Sequence, residues 1–155
     1  MKWTPRLLRW GLTLFGPYLG AGIRVDYIDA RWREIRVSMR LRWYNCNAVG
    51  THFGGSLYAM VDPHLMILLM QRLGSEYTVW DQAATIEFKK PGRGTVRARI
   101  AVSDDDLAVI GRGTAGGEKC LPEFSVEVID DAGDVVARVS KTLYVRRRAP
   151  SIRGG

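Results

Sequence analysis

Alternation of apolar and polar residues predicts that much of the chain forms β-strands with one buried face. Between residues 34 and 43 the apolar side chains recur at every second position: Ile35, Val37, Met39, Leu41 and Trp43. A period of two places them on one face of a strand and the intervening polar residues on the other. The same alternation occurs at residues 84–89, 96–102, 124–128 and about 134–145, and a weaker candidate strand at residues 23–28 would pair with the first.

A long helix is predicted from about Ser56 to Leu73, ending before Gly74, a residue that favours helix C-termini. Its side chains are apolar nearly all round, so the rest of the protein must enclose it. Pro63 lacks an amide hydrogen, and we expect it to kink the helix beside Asp62. One buried helix among antiparallel strands predicts an α+β fold in which a curved sheet wraps around that helix.

Other segments are less regular. Glycine and proline at residues 16–22 indicate a loop. The acidic residues 104–106 are suited to begin a short helix, and residues 111–117 have the composition of a loop.

The first residues predict an amphipathic helix at about residues 3–15. One face carries apolar residues, and basic residues lie opposite: Trp3, Leu7, Trp10 and Leu14 against Lys2, Arg6 and Arg9. The apolar run is too short for a secretory signal, and nothing approaches the roughly 20 apolar residues of a membrane span. We favour packing of the apolar face on the same domain or on a partner subunit over attachment to a membrane surface, which stays open.

Composition indicates one globular domain with a basic tail at residues 146–155. The 155 residues are 46% hydrophobic and 25% charged, with a net charge of +7. The two cysteines are too few for a disulfide framework, which favours reduced thiols and a cytoplasmic location, and no metal-ligand spacing is present. The tail lacks the aromatic residues of a nucleic-acid site, so we interpret it as a solvated terminus and expect no nucleic-acid partner.

A polar, glycine-rich loop at residues 47–55 leads into the buried helix, whose first amides can bind a developing negative charge. Asp62 is the carboxylate of that helix, suited to act as a nucleophile or general base. Alternatively, Asp62 is a buried acid held by backbone amides or an arginine, keeping two subunits in register. We favour catalysis. Because Gly54 and Asp62 are roughly 12 Å apart along a helix, a site using both would lie between two subunits.

The loop and helix resemble acyl-CoA thioesterases of the phenylacetate-pathway type, which have the hotdog fold. Members of that family carry an Asn, then a His-Gly-Gly sequence and then an Asp. The matching positions of this chain hold Asn47, Gly54, Gly55 and Asp62. Phe53 stands where the family has His. Residues 50–62 are more closely similar to an uncharacterised hotdog subfamily, DUF4442, which lacks that His. The resemblance implies a homodimer or dimer of dimers acting on an acyl-CoA or acyl-carrier-protein substrate, with no cofactor beyond coenzyme A as part of the substrate.

Each remaining candidate has a functional and a structural interpretation. Asn47 would position water or the thioester, or bond to its own loop. Thr51 would cap the helix or bind substrate. His52, Phe53, Gly55 and Tyr58 are candidate substrate-binding residues, although Gly54 and Gly55 could serve close packing and Tyr58 could be a core aromatic.

Two functions are therefore carried forward. The first is acyl thioester hydrolysis by Asp62, with the Gly54 amide stabilising the oxyanion and Asn47 positioning. The second is a non-catalytic hotdog dimer that binds an acyl or fatty ligand, favoured by Phe53 at the usual His position. His64 is about 200° around the helix from Asp62, so we do not expect the two to form a dyad.

Overall fold

The structure is a computed structural model that describes residues 3–149, and its main element is an antiparallel sheet of seven strands. The strands are β1 (Ile23–Ile28), β2 (Glu34–Arg40), β3 (Tyr77–Phe88), β4 (Thr95–Ala101), β5 (Lys119–Cys120), β6 (Glu123–Ile129) and β7 (Val135–Arg147). The helices are α1 (Pro5–Thr13), α2 (Gly16–Ala21), α3 (Gly54–Ala59), α4 (His64–Leu73) and α5 (Asp104–Gly113).

The strand order is β1-β2-β4-β6-β7-β3, and the short β5 also pairs with β7. Inward-facing residues of neighbouring strands lie opposite one another: Ile35 pairs with Ile100 and Val37 with Ala98. All four are buried, as the alternating pattern predicts. The predicted pairing of the 23–28 segment with the next strand is confirmed. β1 and β3 form the two ends of the strand order.

The central helix consists of two segments, α3 and α4, whose buried side chains pack in the same core as the inner face of the sheet. It begins at Gly54 rather than Ser56, and a turn at residues 60–63 interrupts it. Pro63 lies in that turn, where it cannot donate the amide hydrogen that a continuous helix needs. The kink expected beside Asp62 is therefore present as a break between two helices, and the predicted fold class is confirmed.

Three local predictions need correction. The segment at residues 16–22 is the helix α2, which has Pro17 near its start and ends at Gly22, a residue with φ of 72°. β2 ends at Arg40, and Trp43 is 89% exposed instead of buried. α5 begins at the acidic residues as predicted, where Ser103 and Asp106 form a capping box, but it extends to Gly113, into the predicted loop.

The N-terminal helix is present, but its orientation contradicts the packing expected within the domain. Leu8 is buried and Leu12 is half-buried against the core. The predicted apolar face points to solvent, with exposed fractions from 38% to 61% at Trp3, Leu7, Trp10 and Leu14. Lys2 lies outside the described residues. Between residues 3 and 149 no helix has the length and apolar character needed to cross a membrane.

The start of the basic tail is ordered by hydrogen bonds. Arg146 belongs to β7, and its Nε donates to the Gly117 carbonyl at 2.9 Å. Arg148 donates through its amide to the Glu76 carbonyl at 2.7 Å. Arg146 is therefore part of the sheet, and Arg148 is hydrogen-bonded directly after β7, so neither belongs to a frayed terminus. Arg153 lies outside the described residues.

Candidate active site

Asp62 lies in the turn between α3 and α4, where the buried helix is interrupted. Its side chain is 46% exposed, although neighbouring Val61 and His64 are fully buried. Its Oδ1 accepts hydrogen bonds from Tyr58 and Lys141. Its Oδ2 accepts none from residues 3–149. One carboxylate oxygen is thus held by protein, and the other is available to a water molecule or substrate.

Lys141 is the cation that binds Asp62. It projects from β7 into the core, and its side chain is fully buried. Its ammonium lies 3.2 Å from Asp62 Oδ1 and 2.9 Å from Asp81 Oδ2, and it also donates to the backbone carbonyl of Asp62. Two of the three ammonium hydrogens are donated to oxygens of Asp62, and the Asp81 carboxylate lies at ion-pair distance. A buried cation of this kind requires such partners, because removal from water costs several kcal/mol.

Asp81 is the second carboxylate on Lys141. It lies in β3 just before a β-bulge, where the pairing with β7 shifts between Asp81 and Ala83. Its Oδ1 is buried and has no hydrogen-bond donor within the described residues. Two carboxylates share one ammonium, so the group carries an excess negative charge beside the exposed oxygen of Asp62.

Tyr58 completes the group around Asp62. Its hydroxyl donates to Asp62 Oδ1 at 2.7 Å, and its ring centroid lies 5.8 Å from the Lys141 ammonium. Burial raises the pKa of Tyr58, and the bond to Asp62 raises it further. The phenol therefore stays protonated and acts as a donor. Tyr58 lies on the same helical face as Asp62, as the spacing predicts, and contacts the carboxylate itself.

His64 is turned away from Asp62 into the core. Its Nε2 lies 2.8 Å from the Tyr18 hydroxyl, which donates to the Ala59 carbonyl at 3.0 Å. The single hydroxyl hydrogen goes to Ala59, so His64 Nε2 carries a proton and donates to Tyr18. Burial, and then the charge of Lys141, lower the pKa of His64 to about 3. His64 is therefore a neutral structural residue that joins α2 to the central helix.

Asn47 organises its own loop. Its Oδ1 accepts from the amides of Val49 and Thr51 at 3.1 and 3.0 Å, and its Nδ2 donates to Thr51 Oγ1 at 2.9 Å and to the His52 carbonyl at 3.3 Å. Thr51 does not cap the helix, because the N-cap position belongs to Phe53. The structural alternative for Asn47 accounts for all the side-chain bonds seen here.

His52 and Phe53 face in opposite directions. His52 is buried, and its Nε2 donates to the Gly94 carbonyl at 3.1 Å. Its Nδ1 is buried without a partner among the described residues, and burial lowers the pKa of its ring. Phe53 is 58% exposed. The histidine is thus directed toward the neighbouring loop.

Aromatic rings cover the two glycines at the start of α3. A Cβ on Gly54 would come within 2.8 Å of the Phe88 ring, and one on Gly55 within 2.5 Å of the Phe53 ring. Their amides precede the first helical hydrogen bonds and donate to no acceptor within residues 3–149. The glycines therefore allow close aromatic contact and leave two amides unpaired, which agrees with both interpretations of this pair.

The structure joins the predicted residues into two separate groups. Asp62 and Tyr58 belong to one, together with Lys141 and Asp81. The loop residues Asn47, Thr51 and His52 belong to the other. Within the described residues no hydrogen bond connects the groups, and none of the described His, Cys, Asp and Glu side chains gather in threes as a metal site would require.

Residues 4–145 match the family described as Domain of unknown function (DUF4442). The chain belongs to the DUF4442 family. The expected similarity to that hotdog subfamily is confirmed. The DUF4442 chain has no match among curated proteins.

Solved structures share the fold of this DUF4442 protein. A Pseudomonas aeruginosa protein of unknown function, described as a probable thioesterase, superposes with a TM-score of 0.83 at 17% identity, over 96% of this chain and 99% of that one. A Haemophilus influenzae thioesterase gives 0.67 at 15% identity, covering 99% and 97%. The Escherichia coli PaaI protein of the phenylacetic acid degradation operon gives 0.62 at 17%, covering 92% and 91%. These similarities identify the hotdog fold.

Sequence reasoning missed two members of the DUF4442 protein's charged group. Lys141 was detectable, because it occupies an inward position of β7 in phase with Val139 and Leu143. A lysine in a run of inward apolar residues indicates a buried partner. Asp81 gave no such signal, because its contact depends on the pairing of β3 with β7 and on the bulge between them.

Proposed function

We propose that the protein hydrolyses acyl thioesters, with coenzyme A or an acyl-carrier protein as the thiol carrier. The observation that carries the proposal is the carboxylate of Asp62, which has one oxygen fixed by Lys141 and Tyr58 and the other exposed. A fixed carboxylate with a free oxygen is suited to general-base or nucleophilic catalysis. The thioesterase names of the P. aeruginosa and H. influenzae structures support the same reaction class.

In the general-base route Asp62 Oδ2 takes a proton from water, and the resulting hydroxide attacks the thioester carbonyl carbon. The Gly54 amide stabilises the oxyanion. When the intermediate collapses, the carbon–sulfur bond breaks and the thiolate leaves. It takes the proton from Asp62, which returns the carboxylate to its starting state. Alternatively, Asp62 attacks the carbonyl carbon itself, the carbon–sulfur bond breaks and the thiolate leaves. Water then hydrolyses the acyl-enzyme anhydride, which releases the carboxylic acid, regenerates the Asp62 carboxylate and supplies the proton that the thiolate takes up.

A second subunit would bring the Gly54 amide to Asp62. Gly54 begins α3 and Asp62 lies beyond its end, and no side-chain hydrogen bond of the described residues joins Gly54 to the group around Asp62, which supports a shared site. β3 offers a surface for assembly, because its 12 residues pair with β7 on one edge and with no described strand on the other. An unpaired edge of this length is a template for another strand. We propose a homodimer that pairs through β3, with a dimer of dimers as the larger form.

The alternative is a non-catalytic dimer that binds an acyl or fatty ligand. Phe53 supports it, because an exposed phenylalanine occupies the position of the usual His. The ion pair with Lys141 supports it as well, since a carboxylate bound to a buried cation can serve structure alone. The cation is a lysine rather than the arginine considered for that structural role.

Thiol release from a panel of short-chain, long-chain and aromatic acyl-coenzyme A esters distinguishes the two functions. We expect the wild type to hydrolyse at least one ester. We expect the Asp62→Asn variant to have lost this hydrolysis while keeping the oligomeric mass of the wild type. Absence of thiol release from every ester, together with a fatty ligand recovered by extraction of the purified protein, would favour the binding function.

A further inference from the structure

A stripe of large apolar side chains runs along the outer side of α1 and continues onto α2. Its members recur every three or four residues and are all exposed: Trp3 just before α1, Leu7 and Trp10 on α1, and Leu14 at its C-cap. Leu8 lies about 130° from the centre of this stripe by helical geometry, and the helix packs on the domain through it. The amphipathic helix thus presents its apolar side to solvent, the reverse of what burial in its own domain requires.

The stripe extends beyond α1. Phe15 and Leu19, which flank and belong to α2, are 53% and 54% exposed. Tyr44 lies against the end of α2, with its hydroxyl 3.2 Å from where a Cβ on Gly22 would stand. Tyr44 and the neighbouring Trp43 are also exposed. We call these exposed aromatic and leucine side chains, on and beside α1 and α2, the N-terminal apolar face.

Positive charge accompanies the N-terminal apolar face. Arg6 and Arg9 are exposed on α1, and no aspartate or glutamate occurs in the sequence before Asp26. A second copy of the same face would be a poor partner, because it carries the same charge without any acid to neutralise it. Exposed tryptophan and leucine beside arginine are instead the combination that binds the interface of an anionic bilayer.

We propose that the N-terminal apolar face docks the protein on the surface of anionic membranes. The helices would lie in the plane of the interface, with the stripe inserted among the lipids and Arg6 and Arg9 at the headgroups. The surface is joined to the centre of the fold, since Tyr18 on the inner side of α2 bonds to His64 and to the Ala59 carbonyl. Docking itself does not depend on thioester hydrolysis.

Flotation of the full chain with lipid vesicles tests the proposal. Vesicles of phosphatidylcholine alone are compared with vesicles containing about one-third phosphatidylglycerol. Leu7→Asp/Trp10→Asp changes two exposed residues of the stripe, so the fold should be kept. Val109→Asp/Leu121→Asp is the matched control, because it adds the same charge at two exposed apolar positions outside the face.

We expect the wild type and the control to float with the anionic vesicles, and the stripe variant to bind at least about tenfold more weakly. Arg6→Gln/Arg9→Gln should weaken binding about 30-fold, at about 1 kcal/mol for each arginine, and added salt should diminish that difference. Failure of the wild type to bind, or equal weakening in stripe variant and control, would overturn the proposal. The proposal would also be overturned if, without lipid, the stripe variant had a lower oligomeric mass than the wild type, because the face would then be a protein interface.

Discussion

Lys141 and Asp62 form an ion pair whose members differ in their access to water. The lysine side chain is fully buried, whereas the aspartate side chain is 46% exposed, and the ammonium lies 3.2 Å from Oδ1. The cation therefore depends wholly on its protein partners, while the carboxylate keeps one oxygen open. This asymmetry makes Lys141 a positioning residue for Asp62.

Removal of the buried cation should destabilise the protein. Lys141→Met leaves Asp62 and Asp81 facing each other without their shared partner. Breaking a buried ion pair typically costs 3–5 kcal/mol, and partial exposure of both carboxylates reduces this, so we expect a loss of about 2–3 kcal/mol in the free energy of unfolding. Urea denaturation measures it.

The matched control is Lys141→Met/Asp81→Asn, which removes one of the two unpaired charges and should recover part of the stability. A double variant as unstable as Lys141→Met alone would show that repulsion between the carboxylates is not the cause.

Substitution of Gly54 separates the packing and catalytic interpretations of the glycine pair. The Cβ of Gly54→Ala would meet Phe88 at the end of its ring, and Phe88 is 58% exposed and free to move. We expect a change in unfolding free energy below about 1 kcal/mol, because alanine also favours the helix. We expect turnover to fall at least about tenfold, because the methyl group obstructs the amide.

Unfolding and thiol release are measured on the same Gly54→Ala preparation, with Gly11→Ala as a control at a helical glycine with open space around it. A Gly54→Ala protein with full turnover would contradict an oxyanion role for this amide.

The Tyr58 hydroxyl should contribute to turnover through Asp62. Tyr58→Phe removes the 2.7 Å bond to Oδ1 and leaves the ring in place. We expect a loss of roughly tenfold in kcat, comparable to about 1.5 kcal/mol, because the carboxylate is less firmly oriented. Tyr27→Phe is the control, since it removes a similar phenol–carboxylate bond, to Asp29, at an exposed site. Equal effects of the two substitutions on kcat would contradict the role of Tyr58.

His64 should make stability depend on pH. Its pKa is about 3 in the folded protein and 6.5 in an unfolded chain. Between these values the unfolded state binds a proton that the native state does not, so stability is complete above pH 6.5 and falls as the pH falls.

The free energy of unfolding of the wild type, relative to that of His64→Gln, should therefore fall by about 1.4 kcal/mol per pH unit below the unfolded pKa. Between pH 7.5 and pH 5 this amounts to about 2 kcal/mol. The pKa of His52 is also lowered, but both proteins contain this residue, so its contribution cancels in the difference between their unfolding free energies. Urea denaturation at the two pH values measures the difference. If the difference in unfolding free energy between the two proteins is the same at both pH values, His64 takes up its proton in the folded protein.

The strands and the buried helix were predictable because their patterns are local. A period of two identifies β2 and β4, and an all-apolar segment identifies the helix that they enclose. The sequence does not predict α2, because its glycine and proline residues are also typical of loops. In the structure Pro17 lies in the first turn of that helix and Gly22 is its C-cap, which is the arrangement that helix termini favour.

The site was predictable only in part. Asp62 is conspicuous as a carboxylate in an apolar helix, and Lys141 could have been recognised by its phase in β7. Asp81 joins them through a strand pairing between distant parts of the chain. The orientation of α1 could not be predicted either, because an amphipathic pattern defines two faces without indicating which one meets the protein.

The most direct test of the account is thiol release from the preferred acyl-coenzyme A ester by the wild type, Asp62→Asn and Asp81→Asn. Both carboxylates bind Lys141, but only Asp62 presents a free oxygen to solvent. The account predicts that Asp62→Asn lowers kcat at least about 100-fold with the fold kept, whereas Asp81→Asn retains at least about a tenth of wild-type turnover. Turnover by a folded Asp62→Asn protein equal to that of the wild type would contradict the central claim.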